Sequence, residues 1–363
     1  MAENHKWEFY TDSKSAWEAM LSAIRGAEAS IELEQFILGS DEIGLRFIDA
    51  LKEGASRGVA VRILCDEVGS FSLAHSAVLP SLVESGAQIK FFNSIVPWSP
   101  NSEAFWYFRD HRKLLIIDEC QGFTGGVCIR GDMRDWREST VSIEGAVVSD
   151  MRGSFEAMWS KSYHKLKYYF GRRSRSGKKE RGDDFQYLSN SPLPGKRYIY
   201  KELVRAISEA KHYIYLTTPY FLPDSRILRN LKEAAERGVE VRLLVPQATN
   251  HKVLDIGMGS FFRDLLEHSI KVFLYNAGMI HSKTAVIDGR WSTIGSMNLD
   301  NLSLRYNFEA NIVATDKRFA FELERQFLED LKLSTELTLA VWQSRSILRK
   351  FLEILVWPIR KFL

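Results

Sequence analysis

The sequence HRKLLIID at residues 111–118 has a second copy, HSKTAVID, at residues 281–288, and this pair is the strongest indication of the fold. Both copies share the pattern His-x-Lys, four residues, Asp, six residues, Gly, with the glycines at Gly125 and Gly295. The interval between the copies is 170 residues (281 − 111) at every shared position. A single His-x-Lys arises often by chance. Two copies of the longer pattern predict one active site assembled from two similar halves.

The apolar runs inside the two copies, at residues 114–117 and 285–287, predict short buried strands. Side chains on a strand alternate faces, so the His and Lys of each copy point the same way. If the halves pack about a pseudo-two-fold axis, two imidazoles and two ammonium groups meet in one cleft. Such a site suits a phosphodiester, because the ammonium groups stabilise the phosphate oxygens and the imidazoles supply a nucleophile and a proton donor. The candidate residues are His111, Lys113, His281 and Lys283.

The doubled motif resembles the HKD signature of the phospholipase D superfamily, and its flanks resemble bacterial cardiolipin synthases. The resemblance extends from about Trp7 to about Trp342. It implies an α/β fold of two pseudo-symmetric halves, each a mixed β-sheet flanked by helices, with the active site at their interface. The flanking segments that carry it are residues 31–37 (IELEQFI), 218–223 (TPYFLP), 295–300 (GSMNLD), 305–309 (RYNFE) and 327–331 (FLEDL).

The resemblance also implies roles for the four cleft residues. His111 would attack phosphorus and form a covalent phosphohistidine. His281 would protonate the departing glycerol oxygen and then deprotonate the incoming alcohol. Lys113 and Lys283 would hold the non-bridging oxygens, so the resemblance implies neither a metal nor a cofactor.

Five further residues are assigned supporting roles by the same resemblance. Ser296 and Asn298 would donate hydrogen bonds to the phosphate. Asp118 and Asp288 would orient the site from behind the histidines, and Glu309 is a further candidate for such a role.

One residue departs from the family pattern. The place that corresponds to Asn298 in the first copy holds Cys128 instead of the usual Asn. A thiol is a weak hydrogen-bond donor, so phosphate binding on that side would be weaker or rearranged. We interpret Cys128 as a small buried hydrophobic residue rather than a nucleophile.

The internal repeat extends beyond the motif. Residues 51–62 (LKEGASRGVAVR) resemble residues 231–242 (LKEAAERGVEVR), and each segment predicts a helix end, a glycine stop and a strand. Strands that alternate with helices indicate layered α/β halves. The predicted organisation is a first phospholipase D-like domain at residues 1–165, a basic linker at 166–187, a second domain at 188–335 and an amphipathic segment at 336–363.

Composition and charge patterns bear on the partners. Of 363 residues 45% are hydrophobic and 26% charged, which is typical of a globular protein, and three cysteines offer no disulfide or metal-ligand pattern. We expect neither a signal peptide nor a transmembrane span. The basic run at residues 172–182 is interpreted as a solvated linker, with attraction to anionic lipid headgroups as the alternative. Residues 95–100 predict a loop near the cleft mouth that could guide acyl chains, and the aromatic residues 105–108 are interpreted as packing into the core before His111.

The apolar stripe of residues 341–363 suits an amphipathic helix with Trp342 and Trp357 as interfacial anchors, or a helix packed on the core or on a second subunit. A lipid substrate and the expected lack of a transmembrane span together favour a peripheral enzyme, at the cytoplasmic face of a bacterial inner membrane. The favoured reaction is phosphatidyl transfer, with two phosphatidylglycerols giving cardiolipin and glycerol. The alternatives are a hydrolase, either phospholipase or nuclease, and a non-catalytic membrane protein. The lipid-synthase-like flanks and the amphipathic tail argue against nucleic acid.

Overall fold

The computed structural model describes residues 5–95, 107–161, 184–193 and 195–356. Within these residues seventeen strands and twelve α-helices alternate along the chain. The strands are β1 (Lys6–Asp12), β2 (Ser30–Gln35), β3 (Ala60–Asp66), β4 (Gln88–Phe92), β5 (Lys113–Ile117), β6 (Gln121–Gly125), β7 (Arg137–Glu144), β8 (Phe185–Asn190), β9 (Tyr213–Thr217), β10 (Phe221–Leu222), β11 (Glu240–Pro246), β12 (Lys271–Tyr275), β13 (Thr284–Ile287), β14 (Trp291–Gly295), β15 (Leu299–Asp300), β16 (Glu309–Ala314) and β17 (Ser334–Leu337). The helices are α1 (Ser13–Gly26), α2 (Glu42–Ser56), α3 (Phe71–Ala74), α4 (Leu79–Glu84), α5 (Val147–Lys161), α6 (Tyr198–Glu209), α7 (Ser225–Glu236), α8 (Lys252–Glu267), α9 (Asn301–Arg305), α10 (Lys317–Lys332), α11 (Leu339–Gln343) and α12 (Ile347–Val356).

Two large mixed sheets share a seven-strand topology, to which the second sheet adds the antiparallel edge strand β17. The first has the order β1-β7-β6-β5-β2-β3-β4, and the second has the order β17-β12-β11-β9-β13-β14-β16-β8. In each, three parallel strands continue into an antiparallel meander, with the motif strand β5 or β13 at the junction. A central strand is covered on both faces, so the apolar runs of the motif are buried, as predicted. The predicted α/β fold with two similar halves is confirmed.

Glycine stops set the helix–strand turns of the repeat. Gly58 follows α2 with φ of +91°, and Gly238 follows α7 with φ of +86°. These left-handed conformations are accessible to glycine without the steric penalty of a Cβ atom, so each helix ends here and the chain returns as a strand. The predicted strands after both stops correspond to β3 and β11.

Three apolar clusters hold the layers together. Helices α1 and α2 cover one face of the first sheet, and α6, α7 and α8 cover the corresponding face of the second. The third cluster contains Leu114 and Ile116 of β5, Ile312 of β16 and Phe319 of α10. It joins the inner faces of both sheets, with α5 and α10 contributing to it, and therefore fixes the two halves against each other behind the motif strands.

The C-terminal part differs from the expected membrane anchor in one respect. Trp342 is buried and its ring packs edge-on against Phe262 at 5.2 Å, so its predicted role as an interfacial anchor is wrong. Residues 96–106 of the predicted loop and aromatic cluster, the basic run 172–182 and Trp357 lie outside the described residues. The first strand of the second sheet along the chain, β8, begins at Phe185, which is inside the predicted linker of residues 166–187. No helix among the described residues is long and apolar enough to span a bilayer.

Candidate active site

Each motif histidine is attached to a strand of the opposite half. The backbone N–H of His111 donates to the carbonyl oxygen of Phe308 at 3.0 Å, directly before β16. The N–H of His281 donates to the carbonyl oxygen of Arg137 at 2.7 Å, at the start of β7. The two halves are therefore joined by reciprocal backbone hydrogen bonds at the residues where the motifs begin.

The next residue of each contacted strand is a buried glutamate, and the two glutamates pair crosswise with the histidines. Nδ1 of His111 lies 2.9 Å from Oε1 of Glu309. Nδ1 of His281 lies 2.5 Å from Oε1 of Glu138. The structure thus places Glu309 directly behind a catalytic candidate. It also adds Glu138, which sequence reasoning missed although it stands 171 residues before Glu309 (309 − 138) at the same place in the repeat.

The protonation of these pairs follows from their surroundings. Burial alone would keep the glutamates neutral, but the nearby histidines and lysines outweigh it and lower the pKa of both Glu138 and Glu309. Burial lowers the pKa of His111, and burial together with Lys283 lowers that of His281 to about 4. A carboxylate only accepts hydrogen bonds, so each neutral imidazole donates its Nδ1–H and keeps a free electron pair on Nε2.

The two motif lysines are almost fully buried at the same place. Nζ of Lys113 donates to the carbonyl oxygen of His111 at 2.5 Å, and Nζ of Lys283 donates to that of His281 at 2.6 Å. Burial, reinforced by the charge of Lys113, lowers the pKa of Lys283 to about 7. Two ammonium groups that share one buried site repel each other, so an anionic ligand between them is favoured. Arg112 points to the other face, as predicted, and pairs with Glu34.

Aromatic rings wall the two histidines. The Phe36 ring lies 4.8 Å from that of His111, centre to centre, and 5.2 Å from Nζ of Lys113. The Trp136 and Tyr220 rings lie 5.0 Å and 6.3 Å from the ring of His281. Apolar walls exclude water and strengthen the electrostatic interactions inside the cleft.

The predicted phosphate donors occupy different environments. Ser296 Oγ donates to Oε2 of Glu309 at 2.5 Å. Ser296, Glu309 and His111 therefore form one chain of hydrogen bonds. Asn298 is buried, and its Oδ1 has no hydrogen-bond partner among the described residues. In the first half Gly126 stands where Ser296 stands in the second, and an added Cβ there would lie 2.4 Å from Oε2 of Glu138. Glu138 therefore lacks the hydroxyl contact that Glu309 has.

Cys128 lies in an apolar cluster with Ile37 and Met133. Burial raises the pKa of its thiol, which keeps the group neutral. This environment agrees with the interpretation of Cys128 as a small buried hydrophobic residue.

The motif aspartates lie away from the histidines. Asp118 follows the far end of β5 and accepts hydrogen bonds from the backbone amides of residues 28, 29 and 30 at 2.7–2.9 Å. Asp288 accepts from the amides of residues 211, 212 and 213 at 2.8–2.9 Å. Both residues have positive φ, +49° and +54°, in the tight turn after the motif strand. Both therefore lie at the far end of the motif strand from the histidines, and each one holds the start of the adjacent antiparallel strand, β2 or β9.

The described residues contain no group of three or more His, Cys, Asp and Glu side chains arranged to hold a metal ion. The chemistry that the described side chains offer is an imidazole nucleophile, a second imidazole for proton transfer and two ammonium groups for an anion.

The chain resembles proteins of known families over most of its length. Residues 20–159 and 203–331 match the family described as cardiolipin synthase, PLD-like domain. A cardiolipin synthase of Clostridium perfringens is 31% identical over 361 residues, covering 96% of this chain and 75% of the relative. A cardiolipin synthase of Listeria monocytogenes is 32% identical over 365 residues, covering 97% of this chain and 74% of the relative. Among solved structures, a phosphatidylserine synthase of Haemophilus influenzae has the same fold, with a TM-score of 0.75 and 14% identity over 98% of this chain and 95% of that one.

Proposed function

This chain belongs to the cardiolipin synthase, PLD-like domain family, and on that premise we propose that it is a phosphatidyltransferase that converts two phosphatidylglycerols into cardiolipin and glycerol. The observation that carries the proposal is the crossed arrangement of the site. Each half supplies one histidine and one lysine, and the glutamate behind each histidine comes from the other half. Similarity to two bacterial proteins named cardiolipin synthase favours the lipid substrate over other phosphodiesters.

The first half-reaction transfers the phosphatidyl group to the protein. Nε2 of His111 attacks the phosphorus of one phosphatidylglycerol, an N–P bond forms and the P–O bond to the departing glycerol breaks. The glycerol oxygen takes a proton from Nε2 of His281. Protonation of His281 is favoured when the substrate phosphate enters and by Glu138, since both are negative. Lys113 and Lys283 stabilise the non-bridging oxygens during both steps.

The second half-reaction returns the protein to its starting state. A hydroxyl of a second phosphatidylglycerol gives its proton to the now neutral His281, its oxygen attacks phosphorus and the N–P bond breaks. Cardiolipin leaves, and His111 again carries a free pair on Nε2. In this proposal Asn298, which is buried, donates to the phosphate through its side-chain N–H, as the family resemblance implies, since its unpaired Oδ1 can only accept. Ser296 acts through Glu309, with which it shares a hydrogen bond.

In this proposal the protein acts as a peripheral enzyme at the cytoplasmic face of a bacterial inner membrane, with anionic phospholipid as its partner. No metal or cofactor takes part. The two halves, residues 1–165 and 188–335, act as one catalytic unit because each histidine is held by both.

The test is turnover of phosphatidylglycerol vesicles with products identified by mass spectrometry. We expect cardiolipin and free glycerol, both lost in His111→Ala and in His281→Ala. Rapid denaturation during turnover at neutral to mildly alkaline pH, where the N–P bond survives, should give a phosphatidyl adduct on His111, and this adduct should persist longest in a variant that slows the second step. Phosphatidate without cardiolipin would show that water is the acceptor, and an absence of lipid products would refute the proposal.

A further inference from the structure

The helix α12 lies on the protein with its apolar face turned outward. Ile347 is 84% exposed, Ile354 69% and Leu348 67%, and neighbouring apolar side chains are more than half exposed as well. A surface helix normally buries its apolar stripe against the core. The full outward set is Val341 of α11 and Ile347, Leu348, Phe351, Ile354 and Leu355 of α12.

The inward face of α12 contacts the protein through ion pairs. Glu353 is buried, and its carboxylate accepts two hydrogen bonds from Arg345 at 3.0 Å and 2.8 Å. Arg349 lies 3.8 Å from the same carboxylate, and the Trp342 ring stacks on both guanidinium groups. Gly259 of α8 lets this cluster approach closely, since an added Cβ would lie 3.1 Å from Glu353 Oε1. The buried ion pair between Glu353 and Arg345 therefore specifies the orientation of α12 on the protein.

A basic cavity of about 650 Å³ opens beside this helix, between α8 and α12. Its walls include the cationic side chains of Arg263, Arg345 and Lys350, the carboxylate of Glu353 and the apolar Ile354. Arg263 pairs with Glu267 and Arg345 with Glu353, so Lys350 is the cation of this lining that we expect to bind an anion. From residue 339 to residue 356 the chain carries three cations and a single carboxylate, which is already paired. An exposed apolar face beside a basic cavity suits a surface that is apolar inside and anionic outside.

The same surface is connected to the catalytic cleft through α8. Tyr220, whose ring contacts that of His281, donates its hydroxyl hydrogen to Asn250 at 2.6 Å, two residues before α8 begins. Gly259, where α12 packs, lies eight residues along this helix from His251 (259 − 251), or about 12 Å at 1.5 Å per residue. A lipid surface that contacts α12 is thus within reach of lipids that enter the cleft.

We propose that the outward face of α11 and α12 docks onto a bilayer of anionic phospholipid, with a headgroup phosphate in the basic cavity beside Lys350. A second copy of the chain fits this face less well. In a two-fold interface the same patch meets itself, so the cations around the helix would face their own equivalents. The choice of phosphatidylglycerol as the anionic lipid rests on the proposed function, whereas the docking rests on the helix itself.

The test is flotation of the full chain with vesicles of phosphatidylcholine that contain increasing phosphatidylglycerol. Burial of one large apolar side chain is typically associated with about a tenfold change in partitioning. The variant Ile347→Glu/Phe351→Glu should therefore bind at least about tenfold more weakly, and Lys350→Gln should weaken binding and reduce its dependence on salt. The matched control is Phe321→Glu, which alters a 65% exposed phenylalanine on α10 and should bind as the wild type does.

Unchanged flotation of the double variant would overturn the proposal. So would a loss of binding accompanied by a change from dimer to monomer in light scattering, because the face would then be a subunit interface. Turnover of a short-chain, monomeric phosphatidylglycerol separates docking from catalysis. With this substrate the double variant should match the wild type, and on vesicles it should be slower. If the wild type binds vesicles but turns over neither substrate, the proposed function fails and the docking stands.

Discussion

The substitution Glu138→Gln tests whether the crossed carboxylates act on the histidines. The side chain keeps its shape but loses the negative charge that accepts from Nδ1 of His281 at 2.5 Å. A buried hydrogen bond to a charged group contributes about 1.5–3 kcal/mol. If this is lost when His281 is protonated in the transition state, kcat should fall by about 10- to 150-fold.

The pH profile separates this role from a merely structural one. Without the carboxylate the imidazolium of His281 is less stable, so its pKa falls further below the usual range. Proton donation to the leaving group requires that imidazolium. The alkaline limb of kcat should therefore move to lower pH in Glu138→Gln.

The matched substitution Glu309→Gln removes the charged partner of His111 and should slow formation of the covalent adduct. The control Glu144→Gln changes an exposed glutamate of the same strand, β7, and should leave kcat unchanged. All variants are compared on phosphatidylglycerol vesicles after thermal melts have verified their folding. A Glu138→Gln protein with the kcat and pH profile of the wild type would refute the reasoning.

Other expected outcomes follow from burial and charge. The pKa of Lys283 is about 7, so the ammonium is lost as pH rises through this value and kcat/KM for an anionic lipid should fall above it. Lys283→Met should abolish turnover yet raise the free energy of unfolding by roughly 2 kcal/mol or more below pH 7. A lowered lysine pKa disfavours folding as long as the unfolded chain stays protonated. The gain in stability should therefore shrink between pH 7 and the unfolded pKa of about 10.4. Asp118→Asn should lower stability by about 1 kcal/mol, through its backbone amide contacts, without lowering kcat of the folded protein in parallel assays. Cys128→Ser should retain turnover, and complete loss with an intact fold would contradict its assignment as a buried hydrophobic residue.

The sequence determined the architecture because its signals are local and repeated. Two copies of one motif at a constant interval implied two similar halves, and short apolar runs implied central strands. Glycine stops such as Gly58 and Gly238 marked where helices end and strands begin. The identities of the histidines and lysines followed from the same pattern, since residues two apart on a strand share a face.

Which residues act together depends on contacts that form only when the chain folds. Glu138 pairs with His281 across 143 residues of sequence, and no local pattern encodes a contact between opposite halves. Asp118 shares the motif with His111, yet it follows the other end of the strand and binds the backbone there. Periodicity defined the apolar stripe of α12 but not its direction, because a stripe is equally periodic facing inward or outward. The Arg345–Glu353 pair is close in sequence, but it packs against Gly259 of α8, 94 residues away (353 − 259), and this contact exists only in the folded chain.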